Sequence, residues 1–469
     1  MIWRGRGTKI APMLDCLRAG LPLFERMTHL LRLLFALLLS TSRLLAQVPA
    51  SPDDVKGPLE SLPVDAFFAK IKLMQATRPD GLLLKPGDRL AIIGDSITEQ
   101  KMYSRIIETY LTVCVPELKI TARQYGWSGE TAEGFLRRMT NDCLRFEPTI
   151  ATTCYGMNDH RYRTYDQANG QWYRINYEGV VKALKNAGAR VVLGSPGCVG
   201  KVPTWTKSET YTLEDLNVNL ATFRNIGLGI ATDQGVRFAD VYMPMLKASY
   251  DARQRYGADY AVPGKDGVHP GWAGQLIMAY AFLHGMGLDG DLGSISIDLN
   301  SGKAEGRGGH RVLSSSGGTV TIHSIRYPFC AEGAPDKDDS IRSGMTLIPF
   351  NDELNRLTLI GKGGKSASYK VTWGTASKSY TTDQLSKGIN LAADFVVNPF
   401  TDSFKKVDEA VGRKQAYETR QIKTLFHGEE GQADLGETAK LTEKVRQPLA
   451  AAIATAFGPV DHQITIAAE

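Results

Sequence analysis

The sequence predicts an α/β protein whose main layer is a parallel β-sheet with helices on both faces. Strand-like apolar runs alternate with helix-like segments over residues 89–285. Such alternation implies parallel strands that are joined by right-handed helical crossovers. Polar or glycine residues follow three of the apolar runs directly, which places them along one edge of the sheet. In open α/β sheets that edge is where ligands bind.

The elements follow from apolar periodicity and from turn residues, taken in chain order. A helical apolar pattern covers residues 64–77, and a Pro-Gly-Asp turn at residues 86–88 leads into the first strand. Gly188 gives a stop signal for the helix before the fourth strand. The predicted strands are residues 89–93, 119–124, 149–155, 189–193 and 236–241, and the predicted helices are residues 131–142, 177–186 and 271–285.

The first 46 residues have the layout of a secretory signal peptide. Basic residues up to Arg32 precede an apolar run over residues 33–39, and Ala46 ends a small-residue cleavage site. The run is too short to span a bilayer, and a short anchoring or amphipathic helix is the alternative. Met27 is a second candidate for the start. The sequence therefore predicts export, to the periplasm or the outside of the cell, and no stable membrane span.

The rest of the chain is too long for one ordinary core, and changes in its composition and predicted secondary structure divide it into segments. Residues 47–80 are predicted to be a linker and a leading helix, and residues 81–293 the α/β domain. Residues 294–380 are rich in Gly and Ser and carry short β-like runs, which is typical of a small β-sandwich. Residues 381–469 are predicted to be mainly helical, with a final strand over residues 462–467 that returns to the β-rich unit.

Composition and cysteine usage exclude several classes of protein. The chain is 43% hydrophobic and 22% charged, as soluble globular proteins are. Its net charge of +5 is mild and no block of Lys and Arg stands out, so no nucleic-acid partner is predicted. The five cysteines beyond the leader are odd in number and form no CxxC, which argues against a disulfide framework or a zinc ribbon. The sequence does not indicate an oligomeric state.

Four short motifs occur in order within the predicted α/β domain. They are GDS at residues 94–96, GWSGET at 126–131, GMND at 156–159 and DGVHP at 266–270. Together they resemble the four blocks of the SGNH hydrolases, also called the GDSL esterase/lipase family. The resemblance covers roughly residues 86–287, a span typical of one domain. It implies the three-layer α/β/α fold with a flavodoxin-like sheet, the SGNH hydrolase fold.

The resemblance also implies ester hydrolysis by a serine mechanism. Ser96 would be the nucleophile, His269 its general base and Asp266 the residue that orients the imidazole. The backbone N–H groups of Ser96 and Gly129 and the side-chain amide of Asn158 would form the oxyanion hole. Each residue has a structural alternative, because Ser is a common helix cap and His or Asn often occupies a turn.

Some neighbouring residues need separate interpretation. Ile97 stands where the commonest family pattern has leucine, a conservative exchange in volume. Glu130 is interpreted as an acidic residue of a helix first turn, and Asp95 as a structural residue that bonds nearby backbone. The pair Asp159 and His160 lacks further ligands at a sensible spacing, so no metal and no cofactor is predicted.

Three functions remain open at this stage. The first is an exported esterase that removes acyl groups, acetyl in particular, from carbohydrate. The second is a lipase or lysophospholipase that acts on lipid acyl chains. The third is an SGNH domain that has lost its activity and binds carbohydrate. The expected partner is a small-molecule or carbohydrate ester.

Two long loops bear on this choice. Residues 159–174 and 200–211 are longer than the connections they make. The two loops carry five aromatic residues, Tyr162, Tyr165, Trp172, Tyr173 and Trp205. The rings of these residues suit the faces of sugars, although they could equally pin the loops to the domain. The region after residue 293 is predicted to contribute no catalytic residue, so that a chain ending near Gly293 would keep short-ester activity.

Overall fold

A parallel five-stranded sheet forms the centre of the fold, in a computed structural model that describes residues 48–206 and 210–469. Its strand order is β2-β1-β3-β4-β5, and every neighbouring pair is parallel. This is the flavodoxin-like order, so the predicted fold class is confirmed. The strands are β1 (Arg89–Gly94), β2 (Thr121–Gln124), β3 (Ile150–Cys154), β4 (Arg190–Gly194) and β5 (Arg237–Ala239).

Helices connect these strands and cover both faces of the sheet. They are α1 (Ser96–Glu99), α2 (Tyr103–Val113), α3 (Ala132–Asp142), α4 (Gln167–Asn186), α5 (Leu213–Gln234), α6 (Tyr242–Tyr256) and α7 (Trp272–Gly285). The sequence sets both ends of α5. Thr212 and Asp215 form a capping box at its start, and Gly235 ends it with φ +61°.

The leading helix predicted for residues 64–77 is wrong. Only a short 3₁₀ turn occurs there, Ala66–Phe68, and the chain then runs extended, with Met74 bridged to Leu59. The reason is tertiary. The side chain of Asn225 on α5 accepts from the N–H of Met74 at 2.9 Å and donates to the carbonyl of Lys72 at 2.8 Å. These hydrogen bonds satisfy backbone groups that a helix would otherwise have paired.

Helix α4 begins ten residues earlier than predicted, at Gln167 after the N-cap Asp166. Asn169 and Gly170 are weak helix formers, which hid this first turn in the sequence pattern. Trp172 and Tyr173 therefore belong to the helix and not to a loop. Tyr173 is fully buried, and its ring stacks on Phe223 with centroids 4.4 Å apart. Its role is packing.

Two further sheets follow the parallel one. A four-stranded sheet has the order β13-β10-β6-β7 and a five-stranded antiparallel sheet the order β12-β11-β14-β9-β8. The strands are β6 (Asp291–Asp298), β7 (Ala304–Arg307), β8 (His310–Ser316), β9 (Thr319–Ser324), β10 (Arg356–Lys362), β11 (Ser368–Trp373), β12 (Ala376–Thr381), β13 (Ile389–Asn390) and β14 (Val460–Ala468). The predicted final strand, over residues 462–467, is confirmed in β14, which pairs with β9 and β11.

The remaining helices lie between and after these strands. They are α8 (Ile341–Gly344), α9 (Phe350–Glu353), α10 (Thr382–Lys387), α11 (Leu391–Asp394), α12 (Thr401–Arg420), α13 (Glu429–Ala433) and α14 (Leu435–Ala456). A π-helical stretch, Gln421–Phe426, continues α12.

Helices α12 and α14 cover the free edge of β2. Lys414 donates to the carbonyl of Ala122 at 2.5 Å, and Arg446 donates to the same oxygen at 3.2 Å. Glu418 accepts from the N–H of Gln124 at 3.2 Å. An uncovered edge strand would expose these backbone groups to pairing with another chain. The C-terminal helices thus complete the parallel sheet.

The predicted domain boundaries stay predictions. Residues Ala50–Glu469 form one compact unit, and the boundaries at residues 293 and 380 fall inside β6 and β12. The predicted signal peptide, residues 1–46, and the alternative start at Met27 lie outside the described residues. In the part of the chain that the structure describes, no helix is long and apolar enough to cross a membrane.

A chain of buried hydrogen bonds joins the two C-terminal sheets. Trp373 Nε1 donates to His462 Nδ1 at 3.1 Å, which leaves His462 Nε2 to donate to Ser324 Oγ at 2.9 Å. Ser324 then donates to His310 Nδ1 at 2.7 Å, and His310 Nε2 donates to the carbonyl of Leu292 at 2.8 Å. This direction of donation requires both imidazoles to be neutral. Burial lowers the pKa of His462 to about 3 and also lowers that of His310.

We expect the His462→Gln substitution to destabilise the fold less in acid than at neutral pH. The folded pKa of His462 lies below its unfolded value, so its contribution to stability is complete above pH ~6.5 and disappears towards pH ~3. The difference in unfolding free energy between wild type and variant should therefore shrink between pH 7.5 and pH 4.5, measured by urea denaturation. Gln463→Ala, on the same strand, serves as the control with a constant difference. A difference that grows in acid would contradict the neutral hydrogen-bond chain.

Candidate active site

The turn from β1 into α1 places Ser96 at the carboxyl edge of the parallel sheet. Gly94 ends the strand where no side chain fits, because a Cβ there would lie 2.1 Å from Thr98 Oγ1 and 2.9 Å from the carbonyl of Cys154. The chain can therefore enter α1 directly after the strand. Ser96 is the first residue of that helix.

Asp95, not Ser96, caps α1. Its carboxylate accepts from the N–H of Ile97 at 3.0 Å, as its interpretation as a structural residue requires. Burial, together with nearby carboxylates, raises the pKa of Asp95 to about 7. The alternative that Ser96 is merely a helix cap is thus wrong, and its hydroxyl is available for another partner.

That partner is His269, which arrives on the loop before α7. His269 Nε2 lies 2.8 Å from Ser96 Oγ, and His269 Nδ1 lies 2.7 Å from Asp266 Oδ2. The other oxygen, Asp266 Oδ1, accepts from the N–H groups of Val268 at 2.9 Å and His269 at 2.8 Å. Gly264, with φ +91°, lets the loop turn tightly, since a Cβ there would lie 1.8 Å from the carbonyl of His269. The structure therefore brings Ser96, His269 and Asp266 into one hydrogen-bonded row.

The charges in this row suit a proton transfer. Burial raises the pKa of Asp266, but the hydrogen bonds from His269 and Val268 outweigh burial, so its pKa lies below the ordinary value. An ionised Asp266 accepts a hydrogen bond from the Nδ1–H of His269, which leaves the Nε2 lone pair facing the hydroxyl of Ser96. The arrangement can take a proton from the serine when a bond forms at Oγ.

The predicted oxyanion donors follow β1, β2 and β3: Ser96 begins α1, and Gly129 and Asn158 lie in loops. Gly129 has φ +74° and open space where a Cβ would be. Among the described residues, no protein acceptor bonds the N–H of Ser96 or Gly129. Asn158 Nδ2 donates to the carbonyl of Glu130 at 3.0 Å and lies 3.4 Å from Asp95 Oδ2. Asn158 is thereby anchored beside the residue that precedes Ser96.

The sequence suggested that Glu130 lies in the first turn of a helix, but it does not. It precedes the N-cap of α3, Thr131, and its carboxylate is buried. Arg138 on α3 donates to both of its oxygens, at 2.6 and 2.7 Å, and the hydroxyl of Tyr155 donates to one at 2.7 Å. This ion pair fixes the backbone carbonyl that holds Asn158.

Asp159 and His160 have structural partners. Asp159 accepts from the N–H groups of Ala132 and Gly156, both at 2.9 Å, and burial raises its pKa to about 7. His160 Nδ1 lies 2.5 Å from the carbonyl of Met157, and burial lowers the pKa of this imidazole to about 4. Within residues 48–206 and 210–469, no group of three or more His, Cys, Asp or Glu residues could hold a metal ion.

Two of the five predicted loop aromatics reach the site. The ring of Trp205 lies 5.9 Å from the imidazole of His269 and 6.2 Å from the ring of Tyr162, measured between centroids. Trp205 is 47% exposed. Tyr162 and Arg161 hold left-handed backbones, with φ +50° and +56°, a strained conformation of the kind that clusters at active sites.

The other loop aromatics do not reach it. Tyr165 and Tyr173 pack on Phe223, and Trp172 stacks under the guanidinium of Arg161. A separate groove of about 1420 Å³ is lined partly by residues that precede β1 and β2, such as Leu82 and Leu118, and partly by residues of β5, α7 and α9. It includes none of Ser96, His269 and Asp266.

Comparison with known proteins places part of the chain in a family. The five-stranded parallel sheet flanked by helices is consistent with the SGNH hydrolase fold. Residues 92–277 match the model of the GDSL-like lipase/acylhydrolase family, so this part of the chain belongs to that family. The protein is accordingly an ester-hydrolysing enzyme. No curated protein matches the chain.

A solved structure extends the likeness in fold beyond the family segment. A gut microbial diltiazem-metabolizing enzyme is 20% identical and superimposes with a TM-score of 0.66, over 84% of this chain and 100% of that one. That overlap shows a shared fold that includes much of the region after residue 277. An acetylxylan esterase from Geobacillus stearothermophilus is 22% identical, with a TM-score of 0.35 over 44% of this chain and 97% of that chain.

Proposed function

We propose that this chain is an exported serine esterase that removes short acyl groups, acetyl above all, from carbohydrate esters. The observation that carries the serine mechanism is the continuous row Ser96 Oγ–His269 Nε2, 2.8 Å, and His269 Nδ1–Asp266 Oδ2, 2.7 Å. A serine hydroxyl is inert without a base, and a histidine needs an orienting carboxylate to act as that base.

The proposed reaction has two halves. Ser96 Oγ attacks the ester carbonyl carbon while His269 Nε2 takes the hydroxyl proton, and His269 returns that proton to the departing alcohol oxygen. Water, deprotonated by the same imidazole, then attacks the acyl-enzyme and releases the carboxylic acid and Ser96. In both halves the negative oxygen would be held by the N–H groups of Ser96 and Gly129 and by Asn158, each donor contributing on the order of 3 kcal/mol to transition-state stabilisation.

The aromatic surface beside His269 supports a carbohydrate alcohol. Trp205 presents half of its surface to solvent, and Tyr162 lies beside it. Flat rings with a polar edge suit the apolar face and the hydroxyls of a sugar. Among the large hydrophobic side chains that are exposed in the described residues, Trp205 is the one on the two long loops, whereas a lipase surface needs a larger apolar patch.

A chain-length series tests the acyl preference. We expect kcat/KM of the full chain to be highest for the acetyl ester and to fall across butyryl, octanoyl and palmitoyl esters of 4-nitrophenol. A true acyl tunnel would add about 0.8 kcal/mol of binding for each buried methylene, so specificity rising from acetyl to octanoyl would favour the lipase alternative. Failure to hydrolyse all four esters, with no labelling by a serine-reactive phosphonate, would favour the inactive carbohydrate-binding alternative.

Two measurements complete the proposal. Release of acetate from an acetylated disaccharide, compared with an acetylated simple alcohol, tests the carbohydrate part, and Trp205→Ala should reduce the first more than the second. Export rests on the signal-peptide layout of residues 1–46. Fractionation of cells that produce the chain with and without these residues tests it, and cytoplasmic retention of both forms would contradict it.

A further inference from the structure

The loop that presents Gly129 is held by hydrogen bonds to the turn that presents Ser96. We call residues 126–129 the Gly129 loop. Trp127 donates its N–H to the carbonyl of Gly94 at 3.1 Å. Gly126 lies so close to α1 that a Cβ would come within 2.2 Å of the N–H nitrogen of Glu99. The backbone of the Gly129 loop therefore packs directly against the backbone of the turn that carries Ser96.

Glu99 forms the polar part of this contact. Its Oε2 accepts from the N–H of Ser128 at 2.5 Å and from the hydroxyl of Ser128 at 2.6 Å. Ser128 directly precedes Gly129, so these two bonds hold the residue whose carbonyl forms the peptide bond to the Gly129 nitrogen. Glu99 itself lies one helical turn after Ser96. A single carboxylate thus links the position of the nucleophile to that of the neighbouring donor.

Glu99 is in turn held by a residue from the far end of the chain. Lys423 Nζ lies 2.8 Å from Glu99 Oε1 and 3.0 Å from Oε2, and the two side chains are 28% and 18% exposed. Lys423 belongs to the π-helical stretch Gln421–Phe426, and π turns of this kind occur frequently at functional sites. Its Nζ also lies 5.2 Å from the ring of Trp127, on the same loop.

The charge of Glu99 is consistent with this arrangement. Burial raises its pKa, but the hydrogen bonds from Lys423 and Ser128 outweigh burial, so the pKa of Glu99 lies below the ordinary value. The carboxylate is therefore ionised at neutral pH, and both of its oxygens have partners.

We propose that Lys423, acting through Glu99, positions the Gly129 N–H for the transition state. The inference rests on the proposed function, in which Gly129 is an oxyanion donor. Lys423 and Glu99 are positioning residues, since neither needs to touch the substrate. The C-terminal helices would then set the geometry of a site whose reacting groups all come from the parallel-sheet domain.

The test is a double-mutant cycle in the full chain, with 4-nitrophenyl acetate as substrate. Glu99→Ala and Lys423→Met should each lower kcat by about 10- to 100-fold, because a misplaced donor costs that much, while KM changes less than about twofold. In the Glu99→Ala background, Lys423→Met should have no further effect. Lys423→Arg keeps the charge and should restore kcat to within about threefold of wild type.

A matched control separates positioning from general stability. Asp408 on α12 pairs with Arg105 on α2, and their side chains are 25% and 26% exposed, close to the values for the Lys423 pair. Asp408→Asn breaks this comparable contact between the C-terminal helices and the parallel-sheet domain but leaves the Gly129 loop untouched. It should leave kcat and KM unchanged. A fall in kcat as large as that of Lys423→Met would show that any loosening of the C-terminal helices suffices, and would overturn the proposal.

Other outcomes are equally decisive. Raised KM with unchanged kcat in Lys423→Met would mean that Lys423 binds substrate directly, and multiplicative losses in the double variant would mean that the two residues act independently. Should Glu99→Ala fail to fold, Glu99→Gln replaces it in the cycle. If Ser96→Ala keeps wild-type activity, the proposed function itself fails. If Ser96→Ala is inactive but Glu99→Ala and Lys423→Met both match wild type, only the positioning role fails.

Discussion

Ser96→Ala is expected to lower kcat/KM for a short-chain ester by about four to six orders of magnitude. The variant retains the donors and the binding surface but loses the oxygen that attacks the carbonyl. His269→Ala should cause a loss of similar size, since it removes the base that lies 2.8 Å from Ser96 Oγ. Members of such a row act as a unit, so the double variant should be scarcely worse than either single one.

The measurement is steady-state hydrolysis of 4-nitrophenyl acetate, with circular dichroism and urea denaturation to establish that each variant folds. Ser386→Ala is a suitable control, because Ser386 is exposed on α10 and its hydroxyl donates only to the nearby carbonyl of Asp383. It should keep wild-type kcat/KM. Losses that multiply in the double variant would show that Ser96 and His269 do not work together, and the serine mechanism would have to be abandoned.

Lys414→Met is expected to destabilise the fold by about 3 to 5 kcal/mol, the usual cost of removing one partner from a buried ion pair. The Lys414 side chain is 1% exposed and lies between Glu108 Oε1, at 2.8 Å, and Glu418 Oε1, at 2.9 Å. Without the ammonium group, two carboxylates are buried side by side and the carbonyl of Ala122 loses a donor. Burial already raises the pKa of Glu108, so the variant should favour its protonated form.

The unfolding free energy, measured by urea denaturation at neutral pH, tests this expectation. Lys440→Met on α14 is the matched control. Lys440 is 74% exposed and pairs with Glu437 at 3.3 Å, and exposed pairs of this kind contribute at most about 1 kcal/mol. A Lys414→Met protein within about 1 kcal/mol of wild type would mean that the buried network contributes little, and that the covering of β2 depends on apolar packing instead.

The parallel sheet and the candidate site could be predicted because their signals are local. Ser96, Gly129 and Asn158 follow their apolar runs by three to five positions, and parallel strands bring such positions to one edge whatever the loops between them do. The strands around Ser96 and Asn158 are therefore where the pattern placed them. Asp266 and His269 could be predicted from their three-residue spacing and from the helix that follows them, α7.

The features that sequence reasoning missed depend on distant contacts. Residues 64–77 carry a helical pattern, yet Asn225, about 150 positions later, holds them extended. Glu99 and Lys423 are 324 positions apart, and nothing local marks them as partners. A glutamate three residues after the motif serine is a weak signal that could have been noted. The prediction that a chain ending near Gly293 keeps its activity likewise took no account of Lys414 and Arg446. The sequence does not show that these two residues cover an edge of the parallel sheet.

The order of strands in the antiparallel C-terminal sheet has a consequence for how the chain is made. β14 lies between β9 and β11, although it is translated after both of them and after the long helices α12 and α14. Until residues 460–468 leave the ribosome, β9 and β11 each present an open hydrogen-bonding edge. Pairing at such long sequence separation is also slow. The nascent protein is therefore prone to aggregation while β14 is still missing, and chaperones that shield strand edges would improve its yield most at that stage.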